Sequence, residues 1–263
     1  MLKRNDHLNK GINKICDGQK DSVFMDVFLL KTETEKTEVF FSENLEVAFL
    51  LISGHVRFKV NNAVYEADRP NCFTYDPYCL HVCHDTTVEI ESINDAEILI
   101  QTMTNANDFI PKWYDRDNID IQVSSCSELI ATTKRKVVTI LDLQRAPYSK
   151  MVLGEVINLP GIWSSYPPHH HPQPEVYFYK FDKPQGFGTC FIGDDAYKVV
   201  DNSIAFIDGN KTHPQNAAPG YAMYYVWMIP HLKGNPWLKT RVYDTDHEWL
   251  NSENLDVFKL KEY

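Results

Sequence analysis

Three consecutive histidines, His169, His170 and His171, stand between prolines in WSSYPPHHHPQPEVYFYKF, the stretch from Trp163 to Phe181. Prolines at 167, 168, 172 and 174 keep this segment out of helix. In extended chain alternate side chains share a face, so His169 and His171 converge while His170 points away. Glu175 follows four residues after His171 and opens an aromatic strand. Two imidazoles and a carboxylate within seven positions form a ligand set for a borderline divalent cation. A fourth ligand would complete a tetrahedral site, and His213, in GNKTHPQN, is the candidate.

Strand parity says what surrounds such a site. Glu175, Tyr177 and Tyr179 share one face, whereas Val176, Phe178 and Lys180 share the other. If Glu175 faces a barrel interior, the two tyrosines line the cavity and are the candidate proton-transfer groups, and Lys180 faces away. In YAMYYVWMI, Tyr225 and Trp227 share a face and Tyr224 takes the opposite one; parity leaves open which of the two looks inward. Lys211 and Arg135 are candidate holders of a substrate carboxylate.

The elements that must position these groups are short and β-rich. Runs such as VFMDVFLL, EVAFLLIS, HVRFKV, VVTILDL, EVYFYKF and SIAFID are separated by turn residues, as in a sandwich or barrel. Asn61-Asn62 between HVRFKV and AVYEA reads as a tight hairpin turn. Asn105 to Lys134 reads as a linker with a short helix, and the tail from Pro236 to Tyr263, which includes DHEWL, as a final helix turn or a docking arm.

The chain also repeats itself. Glu46-Val47-Ala48-Phe49 resembles Glu175-Val176-Tyr177-Phe178, an offset of 175 − 46 = 129. Asn61-Asn62-Ala63 matches Asp194-Asp195-Ala196, an offset of 194 − 61 = 133, and His81 matches His213, an offset of 213 − 81 = 132. A period this long implies two β-domains, expected at residues 1–125 and 126–263, rather than a solenoid. The positions equivalent to His169 and His171 fall near Phe40 and Ser42, which ligate nothing. The first half is therefore expected to be structural and the second to carry the one site.

Composition narrows the function. With 263 residues and a net charge of −10, nucleic acid and anionic membranes are poor partners, and a small anion would need local cations. The polar N-terminus is not a signal peptide and no run is long enough to span a membrane, so the six cysteines, Cys126 among them, read as reduced cytoplasmic thiols. Cys79 and Cys83, with His81 and His84, lack the second ligand pair of a zinc finger. Walker, nucleophile-elbow and dinucleotide fingerprints are absent.

The pattern H-x-H, E and a distal H in a twofold β chain resembles the cupins. WSSYPPH, the D-x-P-Q-G-F run at Asp182 to Phe187, RKVVTIL from Arg135, LGEV from Leu153, His213-Pro214 and Tyr224-Tyr225 are similar to the bicupin 5-deoxy-glucuronate isomerases of myo-inositol catabolism. The run E-V-Y-F-Y at Glu175 to Tyr179, and the short Pro172-Gln173-Pro174 spacer, are nearer the 5-keto-4-deoxyuronate isomerases of pectin breakdown. The resemblance implies an all-β fold of two tandem cupin barrels, the first degenerate. It implies a divalent metal, with zinc expected before manganese or iron, on His169, His171, Glu175 and His213. It further implies cytoplasmic aldose–ketose isomerisation of a six-carbon uronate. Tyr225 and Trp227, which share one face of their strand, are further candidate substrate contacts. Barrel edges leave a homo-oligomer open. Cupins also host dioxygenases and non-catalytic sugar-binding modules, which stand as rival readings.

Overall fold

The computed structural model describes residues 1–125, 129–252, 254–258 and 260; Cys126 and the very end of the tail lie outside them. The described residues form strands almost throughout, with one short helix, Ile130–Thr133, and a 3-10 turn, Glu248–Asn251, at the expected DHEWL segment. No helix among them is long and apolar enough to cross a membrane.

Two large sheets dominate. In the first, Lys112–Tyr114, Cys79–Val82, Leu45–Val60, Ala96–Thr104, Asp26–Thr32 and Gly11–Cys16 lie side by side, with Thr37–Phe41, Thr87–Ser92 and Ala63–Arg69 folded over the far end of the long strand. In the second, the order is Leu2–Arg4, Ser203–Ile207, Glu175–Phe181, Met223–Pro230, Met151–Asn158, Arg135–Leu141 and Asp120–Ser124. A four-stranded sheet, Trp163–Ser164, Gln215–Ala217, Phe187–Ile192 and Asp195–Val200, makes the other wall of the C-terminal half.

Alternation along the strands produces three cores. Val47, Phe49, Phe58, Val82 and Ile98 fill the N-terminal interior. Tyr177, Tyr179, Cys190, Tyr225 and Ile229 fill the C-terminal one. Val27, Leu29, Leu50, Leu99, Val176, Phe178, Val226 and Met228 form the layer where the halves meet. That layer contains one buried ion pair: Arg69 Nη1 and Nη2 donate to the two carboxylate oxygens of Glu155 at 2.8 and 2.9 Å, and the Tyr224 hydroxyl donates to Glu155 as well. Lys180, facing away from the C-terminal interior as parity requires, meets Glu97 of the first sheet at 2.7 Å.

Three details differ from the sequence expectations. The linker is structured: Lys112–Tyr114 edges the first sheet and Asp120–Ser124 the second. The polar arm at the start crosses over, since Leu2–Arg4 pairs with Ser203–Ile207. The second hairpin turn is Gly193-Asp194, one residue earlier than the repeat alignment placed it, because Gly193 takes the left-handed φ of 59° that Asn61 takes at 52°. The corrected offset, 193 − 61 = 132, equals that of the two histidines.

Candidate metal centre and its cavity

Glu175 begins its strand opposite Ile207, and Tyr177 and Tyr179 follow it into the C-terminal interior. The histidine segment lies at the mouth of that interior. It is held by a two-residue ladder, His169 opposite Tyr243 and His170 opposite Val242. Asn210 N donates to the His171 carbonyl at 2.7 Å, and this close approach requires Gly209, where a Cβ would stand 2.1 Å from the Pro172 carbonyl oxygen. His169, His171, Glu175 and His213 are all buried, whereas His170 is half-buried and outside the cavity.

The ligand atoms of His171, Glu175 and His213 lie within 4.8 Å of one another. His171 Nε2 and His213 Nε2 are each 3.3 Å from the same oxygen, Glu175 Oε2. His169 is beside this trio, its ring centroid 5.3 Å from that of His213, and not within it.

The proton positions test whether a cation fits. Each of the three cavity histidines has Nδ1 against a backbone carbonyl: His169 on Pro167 at 2.8 Å, His171 on Gln173 at 3.0 Å and His213 on Lys211 at 2.9 Å. A carbonyl accepts only, so these nitrogens carry the protons, and in a neutral ring Nε2 then presents a lone pair. Burial pushes the His169 and His213 imidazoles below their ordinary range and so favours the neutral ring. Lone pairs and a carboxylate oxygen facing one another at 3.3 Å repel unless a positive charge stands between them. Backbone carbonyls that fix Nδ1–H are also the usual outer support of histidine metal ligands. The donor set fits a divalent cation.

Beyond the trio, the cavity is lined by Tyr177, Tyr225, Trp227, Ser165 and Arg135 from the barrel, and by Trp237, Lys239, Thr240 and Arg241 from the tail. Parity at the second aromatic strand resolves with Tyr225 and Trp227 inward and Tyr224 outward. Trp227 needs the glycine opposite it: a Cβ on Gly154 would stand 2.3 Å from the indole ring. The Tyr177 hydroxyl is 3.4 Å from Ser165 Oγ, and Tyr225 donates to Ser164 Oγ at 2.9 Å. Burial holds the Tyr177 phenol well above its ordinary range. Among the described residues the buried indole N–H groups of Trp227 and Trp237 have no hydrogen-bond partner. An orphaned donor costs about 1–3 kcal/mol, so two at one cavity mark places for acceptor oxygens of a ligand.

Two candidates are placed elsewhere. Tyr179 lies behind the wall and its hydroxyl donates to Gln215 Oε1. Lys211 is exposed and outside the cavity; only its carbonyl takes part, through His213. Arg135 is on the wall, buried, with Nη1 donating to the Thr133 carbonyl at 2.9 Å. The tail contributors Trp237, Lys239, Thr240 and Arg241 were missed, because nothing in PWLKTR ties it to the histidine segment.

A family model described as the KduI/IolB family matches residues 1–250. The chain belongs to the KduI/IolB family. Relatives named 5-deoxy-glucuronate isomerase share 25% identity over 194 residues in Geobacillus kaustophilus (strain HTA426), covering 68% of this chain and 67% of that one. In Bacillus subtilis (strain 168) the identity is 22% over 259 residues, covering 92% and 93%. Among solved structures, an IolB-like protein from Salmonella typhimurium LT2 superposes with a TM-score of 0.84 at 18% identity over 95% of this KduI/IolB chain and 99% of that one. An oxalate decarboxylase from Lactobacillus farciminis reaches 0.67 at 9% identity, over 90% and 85%. The all-β cupin-type fold, the family and the reading of the chain as an isomerase are thus supported together.

Proposed function

We propose that this enzyme interconverts an aldose and a ketose form of a deoxy-uronate, 5-deoxy-glucuronate and 2-deoxy-5-keto-gluconate, at the cavity above Glu175. The division into a structural half and a site-bearing half, proposed at residues 1–125 and 126–263, belongs to this reading, with Leu2–Arg4 and Asp120–Ser124 joining the second sheet and Gln122 reaching the cavity. The observation that carries it is the common tautomer of three buried histidines, whose Nε2 atoms are left for a ligand at a cavity rich in hydrogen-bond donors.

In this reading His171, Glu175 and His213 hold a divalent cation, zinc first, with His169 beside them to close the set. When bound, such an ion supplies a Lewis acid for the oxygen charge that develops as the carbonyl moves between C1 and C2. The protein supplies the rest. Trp227 and Trp237 donate to substrate oxygens and fix the sugar chain. Tyr177 keeps its proton through the working pH range, donates it to the oxygen that ceases to be a carbonyl and takes one back from the hydroxyl that becomes one, while a water in the cavity carries the carbon-bound proton between C2 and C1; such proton transfer is worth about 10²–10⁴-fold. Trp237 and the tail shield the centre from bulk water.

Purified protein incubated with 5-deoxy-glucuronate is expected to yield 2-deoxy-5-keto-gluconate, and to lose that activity in chelator and regain it with a divalent ion. No product under any metal condition rejects the substrate. The short spacer from His171 to Glu175 favours a second substrate, 5-keto-4-deoxyuronate; competing the two in one assay ranks them.

A further inference from the structure

We infer that Arg241, carried over the cavity by a C-terminal strap, is the residue that selects the substrate's carboxylate. The inference rests on the uronate reading above and adds to it the group that recognises the acid end.

A uronate brings a fixed negative charge into a cavity whose own lining already includes the Glu175 carboxylate. A cation must offset it, and three line the space: Arg135, Lys239 and Arg241. Arg135 is buried in the wall with one nitrogen on the Thr133 carbonyl. Lys239 is directed to carboxylates of the protein itself, 3.5 Å from Asp120 and 3.7 Å from Asp142. Arg241 makes no side-chain hydrogen bond or ion pair among the described residues, and it is exposed on its outer side. Its guanidinium is the cavity cation left over for a ligand, and its planar fork matches a carboxylate with two parallel hydrogen bonds.

The strap that carries it is tied at both ends. At one end Gln173 Nε2 donates to the Asn235 carbonyl at 2.8 Å, and Trp237 N donates to His231 Nδ1 at 3.0 Å. The Trp237 ring packs 5.4 Å from Trp227 and 6.4 Å from His171. At the other end Val242 and Tyr243 pair with His170 and His169, and Asp244 N donates to the Pro168 carbonyl at 3.0 Å. Continuing that register by one residue brings Arg241 opposite His171. Between the ties, Lys239 takes a left-handed φ of 60°, which bends the strap.

The test is calorimetric binding of glucuronate and of glucose to the whole metal-loaded protein, with turnover of 5-deoxy-glucuronate measured in parallel. Wild type is expected to bind glucuronate at least about tenfold more tightly than glucose. Arg241→Gln should lose that preference, weakening glucuronate about ten- to a hundredfold and leaving glucose unchanged. Arg241→Lys should recover part of it, and Lys36→Gln, exposed in the first half and outside the cavity, should behave as wild type. Equal binding of the two sugars by wild type, or an undiminished preference in Arg241→Gln, overturns the inference. A preference that depends on Arg241 in a protein with no turnover leaves this inference standing and removes the isomerase reading instead.

Discussion

The two halves of the chain each hold a glutamate and a histidine at corresponding places, and they use them in opposite ways. In the second half His171 Nε2 and His213 Nε2 both face Glu175 Oε2 at 3.3 Å, with each Nδ1 held by a backbone carbonyl. In the first half His81 Nε2 is 2.9 Å from Glu46 Oε2, and its Nδ1 is buried with no partner, so the proton sits on Nε2 and is donated to the carboxylate. Glu46 receives two further donors, Ser149 Oγ at 2.8 Å and Lys150 N at 2.6 Å. Phe109 lies tilted against the His81 ring at 4.6 Å and Tyr148 stacks on it at 6.0 Å. The same two residue types make a closed structural bond when the chain brings its own donors, and an open ligand site when backbone carbonyls take the Nδ1 protons. A single proton's position separates scaffold from chemistry.

That contrast can be broken most sharply with matched substitutions. Glu175→Gln is expected to lower kcat/KM by more than about a hundredfold, since changes one shell further out already cost 10–100-fold in metal sites; elemental analysis should show the metal lost and thermal melting should show the fold kept. Glu46→Gln should do the reverse. It leaves His81 and two donors around a neutral amide at a fully buried position, so stability should fall by about 1–3 kcal/mol in denaturant titration while the remaining folded enzyme turns over normally. Equal effects of the two variants on kcat would dissolve the distinction drawn here.

A second, smaller contrast lies within one strand. Tyr177→Phe should reduce kcat about 10²-fold with ligand binding retained. Tyr179→Phe should leave kcat within about threefold and cost about 1–3 kcal/mol of stability by orphaning Gln215 Oε1. The two hydroxyls are on the same strand face, and only the first lines the cavity.

The smallest expected effect is on acidity. His169 and His213 are held below their ordinary range in the folded chain, so the unfolded chain takes up their protons first, below about pH 6.5. The unfolded state then binds more protons, and stability falls as pH drops from 7 toward 5.5. Melting curves in chelator should show this decline, and His213→Gln should flatten it.

Much of this was legible without coordinates. Strand parity placed Glu175 and Tyr177 inside and Lys180 outside, because alternation is a property of extended chain whatever it packs against. The histidine pair was legible because prolines forbid helix on either side. Lys211 misled because its backbone, not its side chain, supports His213, and sequence does not distinguish the two. Arg241 was invisible for another reason: it reaches the site only through a ladder joining His170 to Val242, 242 − 170 = 72 positions apart, and no local pattern announces so distant a pairing. Tyr179 shares the face of Tyr177, and only the reach of Gln215 from the opposite sheet draws it out of the chemistry.

The Arg69–Glu155 pair has a practical corollary. The strand that bears Glu155 also turns Val156 into the cavity, so the wall of the candidate site and the anchor for the other half are successive residues. A minimal enzyme made by discarding the N-terminal half would strip Val176, Phe178, Val226 and Met228 of their cover and strand an acidic group in the bared surface. Any effort to transplant this chamber into a smaller host must therefore bring along a replacement for its rear neighbour, guanidinium included.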